Sequence, residues 1–125
     1  MGMLSRFLNP GSSSVRRVEP DEAARLVAEG KAVLIDVREP DEWAKTGVAA
    51  PAVLLALSDL RGARQSWDPF LKQNRDRELI LYCHSGGRSG RAAQFLAEEG
   101  YRTANIGGFD DWRAAGLPVR TVGKI

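Results

Sequence analysis

Short apolar runs recur along the chain and alternate with amphipathic stretches. Val15–Val18, Ala32–Ile35, Val53–Leu57, 78–82 and Thr103–Ile106 each read as short, buried strands. Between them the apolar spacing changes to that of a helix face. Pro20 opens one such segment, followed by Asp21 and Glu22, where proline and acidic side chains suit a helix N-terminus. Ala23, Leu26 and Val27 give it an apolar stripe, and Gly30 ends it. A second helix is predicted to open at Pro40-Asp41-Glu42, with Trp43 turned to the core. Another starts at Ser58-Asp59-Leu60, and a further one covers 66–74 around Trp67, Phe70 and Leu71. The pattern then predicts a helix over 88–99 closed by Gly100, a turn at Gly107-Gly108, and a short helix over 109–115 stopped by Gly116 and Pro118. Strands alternating with helices predict an α/β fold, a mostly parallel sheet with helices on both faces.

The chain of 125 residues is long enough for one domain with its own core. That domain is predicted over 15–125, behind a flexible lead-in over 1–14 that ends in Pro10-Gly11-Ser12-Ser13-Ser14. A net charge of only +2, with arginines spread along the chain, forms no concentrated basic face, so no nucleic acid is expected as a partner. No apolar run approaches the length of a membrane span, the N-terminus lacks the apolar stretch of a secretory signal, and Arg6 stands where a myristoylation signal carries Ser or Thr. No membrane partner is expected. Cys83 is the only cysteine, which excludes an internal disulfide and a multi-cysteine metal site within one chain. It fits a reducing compartment, here the cytoplasm. Neither a metal nor a cofactor is expected.

The candidate chemistry lies where the run Leu79-Ile80-Leu81-Tyr82 meets Cys83. His84, Ser85, Gly86, Gly87, Arg88 and Ser89 follow, and a helical pattern begins directly after them. Strand, tight loop and helix in that order form a cradle whose backbone N–H groups point at its centre. Cys83 would place its sulfur there. An ordinary thiol is only a few per cent ionised at neutral pH, whereas inward N–H groups, a helix N-terminus and Arg88 would stabilise the thiolate and activate it as a nucleophile. Gly86 and Gly87 permit the tight backbone such a cradle needs, the left-handed region included. A lone cysteine ending a strand is otherwise core filler, but core filling gives no reason for two glycines and an arginine to follow. The spacing is C-x4-R, one residue shorter than the C-x5-R of cysteine phosphatases. The smaller bowl suits one extra sulfur atom better than a phosphoryl group.

Three segments together resemble the rhodanese family of sulfurtransferases. They are Leu34-Ile35-Asp36-Val37-Arg38-Glu39-Pro40-Asp41-Glu42-Trp43, then Tyr82–Ser89, then Gly107-Gly108-Phe109-Asp110-Asp111-Trp112-Arg113-Ala114-Ala115-Gly116-Leu117-Pro118-Val119. The resemblance covers about 15–122. It implies a small five-stranded, mostly parallel sheet flanked by helices. It also implies a reaction in which Cys83 takes a sulfane sulfur from a donor such as thiosulfate, becomes a persulfide, and passes the sulfur to cyanide or to a thiol or protein acceptor. In that scheme the loop amides hold the terminal sulfur's charge and Arg88 closes the bowl. The family's usual Gly-His-Ile-Pro-Gly-Ala stretch is replaced by Gly47-Val48-Ala49-Ala50-Pro51-Ala52, from which altered local loop geometry is expected.

Other residues are read more plainly. His84 beside the nucleophile could tune donor choice or carry protons, but its lateral position favours solvent. Asp36 and Arg38, at the end of the neighbouring strand, are expected to form a salt bridge steadying the rim of the site rather than to touch substrate. Trp43, Trp67 and Trp112 read as core and lid residues, and Arg61, Arg64, Lys72, Arg75 and Arg77 as a solvated basic face. The alternatives to a sulfurtransferase are a non-catalytic rhodanese module that binds a partner protein, and a small phosphatase or arsenate reductase, which the loop length disfavours. With no second cysteine, a persulfide on Cys83 would have to be discharged to an external acceptor.

Overall fold

The computed structural model describes residues 15–123; the lead-in expected over 1–14 lies outside the described residues. In chain order the elements are β1 (Val15–Arg17), α1 (Pro20–Ala28), β2 (Ala32–Asp36), α2 (Pro40–Thr46), β3 (Val48–Ala49), β4 (Val53–Leu54), α3 (Leu57–Arg61), α4 (Trp67–Gln73), β5 (Glu78–Cys83), α5 (Gly87–Glu98), β6 (Thr103–Gly108), α6 (Phe109–Ala114) and β7 (Val119–Arg120). Five strands form one sheet in the order β1-β6-β5-β2-β4, all parallel, with β5 at its centre. The expected α/β architecture with a five-stranded sheet is present.

The period-2 alternation of the central strands sorts their side chains onto two faces. On one face Val33, Ile35, Leu79, Leu81 and Cys83 pack with Leu57 and Leu60 of α3, Trp67 and Leu71 of α4, and Ala92, Ala93 and Leu96 of α5. On the other, Leu34, Ile80, Tyr82, Ala104 and Ile106 pack with Ala23 of α1 and with Phe109 and Trp112 of α6. Both faces are thus covered, as a buried parallel sheet requires. Cys83 is the last residue of the central strand, so the topology delivers it to the carboxyl edge of the sheet, where α/β folds place their ligands.

Several boundaries differ from the sequence pattern. The apolar run Val53–Leu57 is a strand only at Val53–Leu54, and Leu57 already begins α3. Leu55 and Leu57 are buried without a strand, their N–H groups donating to the carbonyls of Asp36 and Val37. Gly107-Gly108 is not a turn but the end of β6, and a register irregularity at Leu81/Tyr82 accommodates it. A second, two-stranded antiparallel sheet, β3 with β7, has no counterpart in the sequence reading, since each strand is two residues long. The stretch 47–52 supplies β3 and the turn after it. Gly47, at φ +79°, leaves α2 where a Cβ would stand 2.7 Å from the Arg120 carbonyl oxygen, and the Arg120 guanidinium donates to the Ala50 and Ala52 carbonyls.

Candidate active site

Cys83 sits on the floor of a bowl built by His84, Ser85 and Gly86 and the first turn of α5. Gly86 adopts φ +102°, which turns the chain back so that its N–H donates to the Cys83 sulfur at 3.0 Å. A Cβ there would also stand 3.1 Å from the Gly107 Cα. The Ser89 N–H lies 3.4 Å from the same sulfur, and the Ser89 hydroxyl oxygen 3.4 Å. Burial works against ionisation of this thiol, yet the Ser89 hydroxyl and the N–H groups of Ser89, Gly86 and Ser85 outweigh it and hold the Cys83 thiol below its ordinary value. Cys83 is only 1% exposed.

Ser89 has one hydroxyl proton and three acceptors in reach: Asn105 Oδ1 at 2.8 Å, the Gly86 carbonyl at 3.3 Å, and the sulfur. The amides therefore serve the sulfur at all times, and the hydroxyl does so when its proton turns from Asn105. Asn105, on β6, holds the bowl from behind. Its Oδ1 accepts from the Gly107 N–H at 3.0 Å and its Nδ2 donates to the Gly86 carbonyl at 3.3 Å. Gly108 completes that wall, because a Cβ there would collide with the His84 carbonyl oxygen. Sequence reasoning missed Asn105, and a lone asparagine in a short strand carries no signal that could have found it.

Arg88 does not donate to the sulfur. Its guanidinium makes two parallel 2.8 Å bonds to the Glu42 carboxylate of α2. That partner holds the Glu42 carboxyl down to about 2, against a burial cost in the other direction. Glu42 comes first, with the sulfur's charge a smaller contribution, in raising the arginine's own affinity for its proton. The expected support of the thiolate by Arg88 is thus through space, and Glu42 is a site residue that sequence reasoning read only as a helix opener. Its spacing from Pro40 carried that role and gave no hint of the ion pair.

The remaining candidates separate by depth. His84, Ser85 and Gly87 are exposed, and a Cβ on Gly87 would meet nothing within 4 Å, so of the two glycines only Gly86 is sterically required. Asp36 and Arg38 form a salt bridge at 2.8 Å, but it is buried, 0% and 1% exposed, rather than lying on a rim. Asp36 also accepts from the Trp43 indole at 3.1 Å, while Arg38 donates to Thr46 Oγ1 and to the Gly47 carbonyl, each at 2.9 Å. None of the tryptophans is a lid: all three are buried, and the indoles of Trp67 and Trp112 donate to the carbonyls of Ala56 and Pro118. In the basic stretch, Arg64 is committed to Asp68 and Glu99, whereas Arg61, Lys72, Arg75 and Arg77 are exposed. Among the described residues no cluster of acidic, His or Cys side chains is placed to hold a metal, and no helix is long and apolar enough to cross a membrane.

The sequence model of the rhodanese-like domain matches residues 19–115. A protein named sulfurtransferase from Allochromatium vinosum is 33% identical over 108 residues, which make up 84% of this chain and 94% of that one. The thiosulfate sulfurtransferase GlpE of Actinobacillus succinogenes is 32% identical over 107 residues, 83% of this chain and 89% of its own. Among solved structures, one from Rhodopseudomonas palustris, described as a protein of unknown function and possible tyrosine phosphatase, superposes with a TM-score of 0.71 at 26% identity, covering 90% of both chains.

Proposed function

The chain belongs to the rhodanese-like family, and on that footing we propose that it is a sulfurtransferase in which Cys83 carries the sulfur between a small donor, such as thiosulfate, and an external acceptor. The observation that carries this reading is the Cys83 sulfur held by the amides of Gly86 and Ser89 and by the Ser89 hydroxyl. In the first step the Cys83 thiolate attacks the outer sulfur of thiosulfate. A new S–S bond forms, the donor's S–S bond breaks, and sulfite leaves with that electron pair. The outer sulfur of the resulting persulfide extends about 2 Å beyond Cys83 Sγ, the length of an S–S bond. The bowl's inward N–H groups support the negative charge carried there, as an oxyanion hole supports an oxygen anion. In the second step cyanide, a thiol or a protein thiol attacks that sulfur and Cys83 departs as the thiolate. No second cysteine competes for the persulfide within the chain. The reducing interior of a cell, the cytoplasm, is the setting this reading assigns, since an activated lone thiol survives there.

The test is direct. Treatment with thiosulfate is expected to add the mass of one sulfur to the intact protein, and cyanide to remove it with release of thiocyanate. Cys83→Ser should abolish both. Absence of added sulfur with thiosulfate, an organic thiosulfonate and mercaptopyruvate alike would overturn the reading. Cys83-dependent hydrolysis of an aryl phosphate would favour phosphatase chemistry instead.

A further inference from the structure

Beside the bowl, on the face covered by α3 and α5, lies a groove of about 420 Å³ lined by Leu57, Leu60 and Arg61 of α3 and by Arg91, Ala92 and Phe95 of α5. A cleft of this size takes a small molecule. Its position relates it to Cys83. The Leu57 N–H donates to the Val37 carbonyl, and the Val37 N–H to the Tyr82 carbonyl, so α3 starts at the same sheet edge that carries the sulfur. Ala92 lies three residues beyond Ser89, about 4.5 Å along the helix axis, and belongs to the same packed cluster as Cys83, Leu57 and Leu60. The groove thus lies between α3 and α5, on the sheet face that carries Cys83.

Its lining is amphipathic and of one sign. Leu57, Leu60 and Ala92 are buried and form the floor, while Phe95 is 45% exposed, one of only two large apolar side chains so exposed among the described residues. Arg61 and Arg91 are both exposed, and among the described residues neither makes an ion pair or a side-chain hydrogen bond. The nearby carboxylates already have partners: Asp59 accepts from the N–H groups of Gln65, Ser66 and Trp67, and Asp68 and Glu99 pair with Arg64, whose guanidinium lies 6.0 Å from the centre of the Phe95 ring. A hydrocarbon floor flanked by two unpaired cations complements a hydrocarbon chain ending in an anion.

We propose that this groove seats the sulfur acceptor, and that the acceptor it fits is a low-molecular-weight thiol with an apolar chain ending in a carboxylate; the inference rests on the sulfurtransferase reading above. An acceptor is favoured over a donor by chemistry. Thiosulfate is compact and has no apolar part for such a floor, and the bowl's amides already meet its charge. With the carboxylate between Arg61 and Arg91 and the chain on Leu57, Leu60 and Ala92, the thiol end faces the sheet edge that carries Cys83. The acceptor thiolate then forms a bond to the outer sulfur of the Cys83 persulfide, the Cys83–sulfur bond breaks, Cys83 departs as the thiolate, and the acceptor leaves as a persulfide. No oxidant or reductant is consumed.

Two measurements test it. The first is an NMR titration of the full chain with octanoate, which has the chain and the charge without the thiol. Saturable shifts are expected at the amides of Leu60, Arg91 and Phe95, together with affinity at least roughly tenfold above that for octanol or octylamine, since both the chain and the charge are recognised. Arg61→Gln and Arg91→Gln should each erode that preference. The second measures discharge of the thiosulfate-loaded protein by thiols of similar basicity. Mercaptohexanoate should outpace 6-mercaptohexanol, which has the chain without the charge, by roughly tenfold, and the Arg61→Gln/Arg91→Gln pair should bring the ratio close to one. Failure of octanoate to bind the groove while Cys83 still loads with sulfur, or a rate ratio that survives the double substitution, overturns the groove assignment and leaves the sulfurtransferase reading standing. Failure of Cys83 to load from any donor overturns that reading and the acceptor role with it.

Discussion

The guanidinium of Arg88 lies against the carboxylate of Glu42, with two donor–acceptor distances of 2.8 Å, and donates nothing to the neighbouring Cys83. This contact joins the first turn of α5 to α2. Glu42 also accepts from the Glu39 N–H, and the Glu39 carboxylate in turn accepts from the N–H and hydroxyl of Ser58 in α3. Three helices are thereby tied together around the sheet edge that carries the sulfur. Both partners are about one-third exposed, so the bond contributes more to geometry than to stability. Glu42→Gln should lower sulfur-transfer kcat/KM by roughly tenfold, as expected for one displaced charge contact near the reacting atoms. A variant with unchanged kinetics would show that the tie has no bearing on the bowl.

The same pair sets a pH dependence. The Glu42 carboxyl is depressed from 4.5 to about 2, so its contribution to stability is fully present above 4.5 and is lost as the pH falls through about 2. Acid unfolding followed by circular dichroism should show wild type losing stability over that window more steeply than Glu42→Gln. Parallel curves would contradict the pairing.

Gly86 and Gly87 are neighbours in sequence but differ in what they require. Gly86 is at φ +102° with its notional Cβ 3.1 Å from the Gly107 backbone, whereas a Cβ on Gly87 meets open space. Gly86→Ala should therefore displace the amide that donates to the sulfur and cost most of the activity, at least ~1 kcal/mol from backbone strain alone. Gly87→Ala should retain it, and should stabilise the start of α5 slightly. Persulfide loading of the two variants side by side decides this. Equal loading would mean the left-handed turn is not essential to the bowl.

Ser89→Ala removes the hydroxyl but keeps the Ser89 N–H beside the sulfur. Because that hydroxyl is the largest of the contributions that favour the thiolate over burial, the Cys83 thiol should ionise at higher pH in the variant. The rate of alkylation by iodoacetamide against pH reads this out as a curve shifted to the alkaline side. A coincident curve would mean that the proton stays on Asn105 and that the amides alone activate the sulfur.

Much of this site is legible in the sequence. The run 79–82 ending at Cys83, then two glycines and an arginine, specified strand, bowl and helix, because each residue type there answers a local backbone demand. What escaped was the set of contacts made across the sheet. Asn105 braces the bowl from the next strand, and no local pattern distinguishes it from any polar residue in a short strand. The Glu42–Arg88 bond spans 46 positions, and Glu42 already had a sufficient local explanation at a helix start. Leu55 and Leu57 misled in the opposite sense: they are buried as the apolar pattern required, but by the turn into α3 rather than by a longer strand.

Asp36 and Arg38 lie one strand away from the sulfur and make the opposite kind of pair. Asp36 accepts from the Arg38 backbone N–H at 2.9 Å, from its Nε at 3.1 Å and from its Nη2 at 2.8 Å, and the Arg38 guanidinium lies 4.7 Å from the centre of the Phe109 ring. Neither side chain reaches solvent, so neither is free to meet a donor. Asp36→Asn keeps the shape and one acceptor but leaves a cation buried without its counter-charge, which is expected to cost about 3 kcal/mol of folding free energy, a large share of the ~5–15 kcal/mol typical of a domain. Urea denaturation should show this as a lower midpoint, while KM for thiosulfate stays near wild type at a temperature where the variant is folded. Asp36→Leu combined with Arg38→Met should recover part of the loss, since it removes both charges and fills the space with hydrocarbon. A raised KM with unchanged stability in Asp36→Asn would place the pair in the substrate site instead of beneath it.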